Sequence, residues 1–197
     1  TLLATHLTEG HKLVSSAYIQ EPNSTLYYVR DDGVLLSLAF IKEQNVFAWS
    51  HHTTDGKYKK VASIPNGASD VLYVTVERDG KIYIERFNPD IEAAAYMDSY
   101  VTGSGSSIKA MHLIGKTVQI LAGGTRMKDA VVPENGLVDF GQSFSDITIG
   151  LSYETRIKQP GPDIGLKEGT MQARISKINT VVLRIEKSYG GHIGYTF

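Results

Sequence analysis

Residues 26–41 read LYYVRDDGVLLSLAFI. Apolar residues with high strand propensity stand on both sides of Asp31-Asp32-Gly33, and glycine tolerates the positive φ that a tight hairpin requires. The stretch therefore predicts two antiparallel strands joined by a turn. Alternating runs at residues 12–19 and 46–52, each separated from this hairpin by turn-forming residues, predict one further strand on either side. Together they predict a four-stranded antiparallel unit.

The same pattern begins again about 45 residues further along the chain. Residues 57–64 occupy the place of residues 12–19, and Leu72–Gly80 echoes Leu26–Gly33. Residues 81–87 predict a third strand of this second unit, with no fourth strand directly after it. A four-stranded unit repeated every ~40–50 residues has the size of a β-propeller blade. We therefore expect residues 1–90 to form a partial, propeller-like antiparallel sheet structure, the alternative being an ordinary meander with chance similarity.

The pattern changes after residue 90, and we expect residues 91–107 to be a connecting segment. Asn88 and Pro89 favour the start of a short helix over Ile91–Met97, and Thr102–Ser107 has the composition of a Gly/Ser linker. Short strands and glycine turns then predict a small β-barrel over residues 108–160. Residues 161–197 are expected to form a loop followed by returning strands. The expected fold class is all-β.

Composition narrows the possible functions. The chain of 197 residues has 20 Lys+Arg against 21 Asp+Glu, a net charge of -1, which argues against a protein that reads nucleic-acid sequence through a basic surface. With no cysteine there is no disulfide and no thiolate chemistry, and no apolar run reaches the roughly 20 residues that a membrane span requires. Because residue 1 is Thr and no signal peptide follows, we expect a segment of a longer protein.

Residues capable of catalysis or metal binding are present but poorly spaced for either role. The adjacent His51 and His52 point to opposite faces of a strand, and His6 and His11 are five residues apart. Ser104 lacks the strand, turn and helix context of a nucleophilic serine, while Asp31 and its neighbour occupy a turn that favours aspartate. We predict no catalytic residue, no metal ligand and no cofactor, and hence no enzyme.

One segment has a more specific pattern. Residues 43–56, EQNVFAWSHHTTDG, resemble the tail nozzle family of short-tailed bacteriophages and prophages, also called tail tubular protein B, to which phage stabilisation-type proteins are similar. The similarity covers about residues 26 to 155 in order, including YIERF at residues 83–87 and GLSY at residues 150–153. The positions assigned to the family pattern, all in structural roles, are Asp32, Gly33, Trp49, His52, Thr54, Gly56, Glu85 and Arg86.

The resemblance implies a virion structural protein with propeller-like and small-barrel domains and no catalytic residues. Such a protein is made in the host cytoplasm and lies in the virion tail, where a homo-oligomeric ring forms the wall through which DNA leaves. Its implied partners are other tail proteins (adaptor, fibres or neighbouring subunits), with DNA only as non-specific cargo. The chain departs from the family in length, because nozzle proteins are several times longer.

Two other functions remain open. Tyrosine-rich strands and many loops are also compatible with a carbohydrate-binding or receptor-binding β module of a phage tail, and scattered carboxylates leave a cell-wall hydrolase as a third hypothesis. Trp49 is expected in the core of the blade, the alternative being an anchor at a protein interface.

Overall fold

The protein is all-β, as expected from the sequence. The computed structural model describes residues 4–42, 45–87, 97–157, 180–185 and 191–194. The chain divides into a compact unit, Thr1–Tyr153, and a second unit, Glu154–Phe197. The described residues of the second unit form no helix or strand. In the first unit, one helical turn α1 (Thr5–Thr8) precedes three antiparallel sheets.

The first two sheets follow the sequence repeat. The first sheet has the order β1-β2-β3-β4 and the second has the order β5-β6-β7, so both are simple meanders. The expected strands over residues 12–87 are confirmed, and the stretch directly after β7, residues 88–96, lies outside the described residues. The strands are β1 (Leu13–Ile19), β2 (Thr25–Arg30), β3 (Leu35–Ile41), β4 (Val46–His52), β5 (Lys57–Asn66), β6 (Ser69–Arg78) and β7 (Lys81–Phe87).

The third sheet has the order β10-β9-β11-β8, which leaves β8 and β10 at its edges. Among the described residues none of the three sheets closes into a barrel, so the barrel expected over residues 108–160 is not formed by them. A short 3₁₀ helix, Met111–Leu113, lies between β8 and β9. The strands are β8 (Asp98–Lys109), β9 (Thr117–Ala122), β10 (Thr125–Val131) and β11 (Leu137–Leu151).

The Gly/Ser run Thr102–Ser107 was expected to be a linker, and this prediction is wrong. The run lies inside β8, which pairs with β11 through a register interrupted by bulges between Asp139 and Ile147. Its small residues fit this irregular pairing: Gly105 has φ +111°, and the Ile108 side chain packs over Gly103. Flexible residues here accommodate a bent strand instead of separating two domains.

Two other expectations fall largely outside the described residues. The helix expected over Ile91–Met97 is described only at Met97, which is buried and has no helical structure. Of the returning strands expected near the end of the chain, residues 180–185 are described and are not in a strand.

Two buried clusters explain how the sheets are held. One lies between the first and second sheets and contains Val29, Leu35, Val74 and Val76, all at most 3% exposed. The other lies on the third sheet around Leu113, Val118, Ile147 and Ile149. Most strand residues of each cluster alternate along the chain, because alternate side chains of a strand point to the same face.

The turn between β2 and β3 also contacts the start of the second sheet. The backbone amide of Tyr58 donates to the carbonyl oxygen of Gly33 at 3.0 Å. Gly33 has φ +95°, and a Cβ there would lie 2.6 Å from Lys57 Cβ and 3.0 Å from Lys57 Cα. Glycine is therefore required both by the turn and by the close approach of the next repeat. Gly80, in the equivalent turn of the second sheet, has φ +74° and open space around it.

This difference between equivalent turns gives a testable prediction. Gly80→Ala should lower the free energy of unfolding by about 1–2 kcal/mol, the cost of a left-handed backbone for an L residue. Gly33→Ala should cost a further ~1–3 kcal/mol, because the methyl group overlaps backbone as well as side-chain atoms of Lys57. Urea unfolding of both variants measures the difference. Equal losses would contradict a packing role for Gly33.

Candidate functional site

A buried cluster of charged groups joins the second sheet to the rest of the first unit. Arg78, the last residue of β6, is 6% exposed and forms a bidentate ion pair with Glu85 of β7. Its Nη2 also donates to Thr54 Oγ1 at 2.6 Å and lies 3.5 Å from Asp98 Oδ2 at the start of β8. One guanidinium thus contacts the second sheet, the segment after β4 and the third sheet.

The hydroxyl groups around Arg78 complete the cluster. Thr54 Oγ1 donates to Asp98 Oδ2 at 2.5 Å, and Ser99 Oγ donates to Glu85 Oε1 at 3.0 Å. Burial, followed by the nearby Asp98 and Glu85 carboxylates, raises the pKa of Tyr58 well above its usual value, so this phenol stays neutral. Each carboxylate of the cluster therefore has a hydroxyl or guanidinium donor, which a buried charge requires.

Gly56 allows the segment after β4 to approach this cluster. Its φ is +146°, and a Cβ there would lie 2.4 Å from the Glu77 carbonyl oxygen and 2.7 Å from Arg78 Cγ. The amide of Gly56 donates to the Thr54 carbonyl oxygen at 2.8 Å, so the turn also orients Thr54. Only glycine fits between these groups without a shift of the backbone.

The structure brings together some of the residues selected from the sequence. Thr54, Gly56 and Glu85 meet at the Arg78 cluster, whereas Arg86 is exposed on the opposite face of β7. Sequence analysis missed Arg78 and Asp98. The signal for Arg78 was its position, since it continues the alternating buried series of Val74 and Val76 with a charged residue.

His52 occupies a separate position, at the edge of the first buried cluster. Its Nε2 lies 2.8 Å from Ser37 Oγ, and its ring meets the ring of Phe87 edge-on at 5.4 Å. Burial, together with the nearby His51, lowers the pKa of His52. A histidine in this setting packs as a neutral side chain.

Trp49 lies on the other face of the first sheet, so the expectation of a core tryptophan is wrong. It is half-buried, belongs to neither buried cluster, and stacks on Tyr28 with ring centroids 6.1 Å apart. Strand register places further aromatic residues on this face, where Phe47 is 59% and Tyr18 46% exposed. We call it the aromatic face, and its aromatic members are Tyr18, Tyr28, Phe40, Phe47 and Trp49.

Asp32 contributes to the turn before β3. Arg30 donates to both of its carboxylate oxygens, with Nε 3.0 Å from Oδ1, and this hydrogen bonding lowers the pKa of Asp32. His11 lies between the two turn aspartates, 3.2 Å from Asp31 and 3.7 Å from Asp32. These three side chains offer ligand atoms within 4.8 Å of one another, but all are exposed, and their contacts with one another and with Arg30 already account for the arrangement.

Comparisons with known proteins give no family for this chain. No protein-family model matches it, and no curated protein matches it. Within the part of the chain that the structure describes, no helix is long and apolar enough to cross a membrane.

The Arg78 cluster predicts a large difference between two neighbouring arginines. Arg78→Met should lower the free energy of unfolding by about 3–5 kcal/mol, because Glu85 and Asp98 would lose their buried cation. Arg86→Met is the matched control and should change it by less than about 0.5 kcal/mol, as usual at an exposed position. Chemical denaturation of both variants provides the measurement, and similar losses would rule out the role given to Arg78.

His52 predicts a pH dependence of stability. The pKa of His52 is lowered in the folded chain. At pH values between the ordinary histidine pKa of about 6.5 and this lowered pKa, the unfolded chain therefore binds more protons at this residue than the folded chain does. Folding stability should therefore fall as the pH decreases from about 7.5 to about 5.5. His52→Gln should reduce this pH dependence.

The control for this experiment is His51→Gln on the opposite face of β4, which should keep most of the pH dependence because burial is the larger cause of the lowered pKa of His52. Urea unfolding at both pH values measures it. A His52→Gln variant with the full dependence would show that another group is responsible.

Proposed function

We propose that this chain is a structural component of the short tail of a bacteriophage or prophage, in the nozzle or tail-tube wall through which DNA exits. It acts by protein–protein assembly, in a homo-oligomeric ring of the full-length protein and with adaptor or fibre proteins as neighbours. Its proposed location is the virion tail, after synthesis in the host cytoplasm. We propose no enzymatic role.

The observation that carries this proposal is the position of β4. The segment with the specific family resemblance, residues 43–56, contains this strand, and β4 supplies Phe47 and Trp49 to the aromatic face. Large aromatic side chains that are partly exposed on one face are typical of protein interfaces, where they provide contact area at little entropic cost. Sequence resemblance and exposed apolar surface therefore coincide in one strand.

The stacking of the first two sheets supports a propeller-like arrangement in this proposal. Both sheets are meanders with an Asp-Gly turn after their second strand, and they share one buried cluster. Ser15 of β1 and Val61 of β5 are also linked, because the Val61 amide donates to Ser15 Oγ at 3.2 Å. Successive blades of a propeller are four-stranded units that pack in this face-to-face manner.

The charge balance supports a wall that DNA passes without being held. A strongly basic surface would bind the phosphate backbone through release of counterions, and each neutralised phosphate would slow its movement. The net charge of -1 avoids such retention. The charged residues of the Arg78 cluster are directed to one another and contribute little to an external field.

Purified particles test the proposal. In particles produced from the phage or prophage that encodes the chain, mass spectrometry should find the protein in a fixed, multiple copy number. A null mutant should be rescued by Val131→Glu, a substitution at an exposed residue outside the aromatic face, but not by Phe47→Glu. Absence of the protein from particles, with the protein present in the lysate, would contradict the proposal.

A second candidate function, recognition of a carbohydrate or receptor, is favoured by the same aromatic face. Stacked aromatic rings such as Tyr28 and Trp49 present the flat apolar surfaces on which sugar rings can pack. Trp49 is the only tryptophan of the chain, so its fluorescence reports directly on this face. A saturable change of that fluorescence with one member of a glycan panel, lost in Tyr28→Ala, would favour this alternative.

A further inference from the structure

The stack of the first and second sheets has two outer faces, and both carry exposed apolar side chains. On one side is the aromatic face of the first sheet. On the other is the outer face of the second sheet, where Ile64, Ile82 and Ile84 are 52%, 59% and 76% exposed. Strand register places Tyr73 and Arg86 on the same face as these isoleucines. We call this surface the isoleucine face.

The sequence repeat relates these two faces to the buried contact between the sheets. Leu72 of β6, 3% exposed, points toward the first sheet, and its counterpart in the first repeat is Leu26, which lies on the aromatic face. Tyr27 of β2 is buried against the second sheet, 5.7 Å from the ring of Phe87. The counterpart of Tyr27 is Tyr73, on the isoleucine face.

The aromatic face is thus equivalent to the side of the second sheet that is already buried. In the same way, the isoleucine face is equivalent to the side of the first sheet that is already buried. The displacement that takes the first sheet onto the second can be applied once more. The first sheet of another copy would then lie on the isoleucine face and contact it through its aromatic face. The existing sheet-to-sheet contact is therefore a template for the next one.

We propose that a second copy of this chain docks in this way, with its aromatic face on the isoleucine face of its neighbour. The contact is head-to-tail, because the two surfaces differ, and such contacts generate rings or open filaments. The inference specifies the partner in the assembly proposed above and rests on that proposal only for its biological setting.

The exposed apolar side chains of the two faces can pack together, and Glu77 on the isoleucine face is already paired with Lys59 at 2.6 Å. Phe47 and Tyr18 provide exposed rings, and the isoleucines provide aliphatic groups of the kind that pack against aromatic rings across strands. Arg86 is exposed on the isoleucine face, where its guanidinium can lie over an aromatic ring of the neighbouring copy. This gives Arg86 a role in contact between copies, distinct from the internal role of Arg78.

Two variants that each block one face test the head-to-tail arrangement. Phe47→Glu places a charge on the aromatic face and Ile84→Glu places one on the isoleucine face, both at positions that are more than half exposed. In sedimentation velocity, the natural chain should form complexes that grow with concentration. Each variant alone should associate at least about 30-fold more weakly than the natural chain, as expected when a central interface residue is lost.

An equimolar mixture of the two variants should form a complex again, limited to a dimer because only one intact face remains on each partner. The signal of Trp49 in Ile84→Glu should change when a tryptophan-free partner, Phe47→Glu/Trp49→Phe, is added. Val131→Glu, equally exposed but on the third sheet, should associate like the natural chain.

Three results would overturn the inference. The first is that the natural chain stays monomeric at high concentration, whether or not its aromatic face binds a glycan. The second is an Ile84→Glu variant that dimerises alone, since this would mean that two aromatic faces meet. The third is a mixture that stays monomeric. This experiment uses purified protein, and the presence and copy number of the protein in particles do not depend on which face is used, so either result can fail without the other.

Discussion

The guanidinium of Arg78 holds the first unit together at the point where its three sheets meet. It lies at the end of β6, and its partners come from β7, from the segment after β4 and from the start of β8. With 6% exposure, the group is removed from water and depends on these partners. A buried charge of this kind is stable only where the surrounding geometry is correct, so the three segments must be placed together or not at all.

This constraint explains several local features of the sequence. Gly56 is needed because the turn that delivers Thr54 passes within contact distance of the Glu77 backbone and the Arg78 side chain. Asp98 is the first residue of β8 and lies beside the cluster. The third sheet therefore begins near Arg78, at the end of β6. Lys116, before β9, adds an exposed ion pair with Asp55 at 2.9 Å in the same region. Residues that are distant in sequence thus form one contact region between the sheets.

Local patterns were sufficient to predict the first seven strands. Alternation and the Asp-Gly turns act over a few residues, and the hairpins at Gly33 and Gly80 confirm that reading. The same patterns could not predict β8, because its Gly/Ser run has no alternation and becomes a strand only by pairing with β11. The Arg78 cluster was missed for a related reason: its partners come together only when the registers of separate sheets are known.

Trp49 shows a third limit of prediction from sequence, and it bears on how the chain meets its neighbours. Strand periodicity places Phe47 and Trp49 on one face, but the second sheet decides which face of the first sheet is covered. The ion pairs of Arg78 lie inside the unit, where they fix how the sheets meet, whereas the outer faces present rings and isoleucines, together with exposed charges such as Arg86, that are less demanding in geometry. Such an arrangement suits a subunit whose own fold is fixed before it binds a neighbour. The register of the apolar contact between copies then follows from the repeat of sheets within each copy.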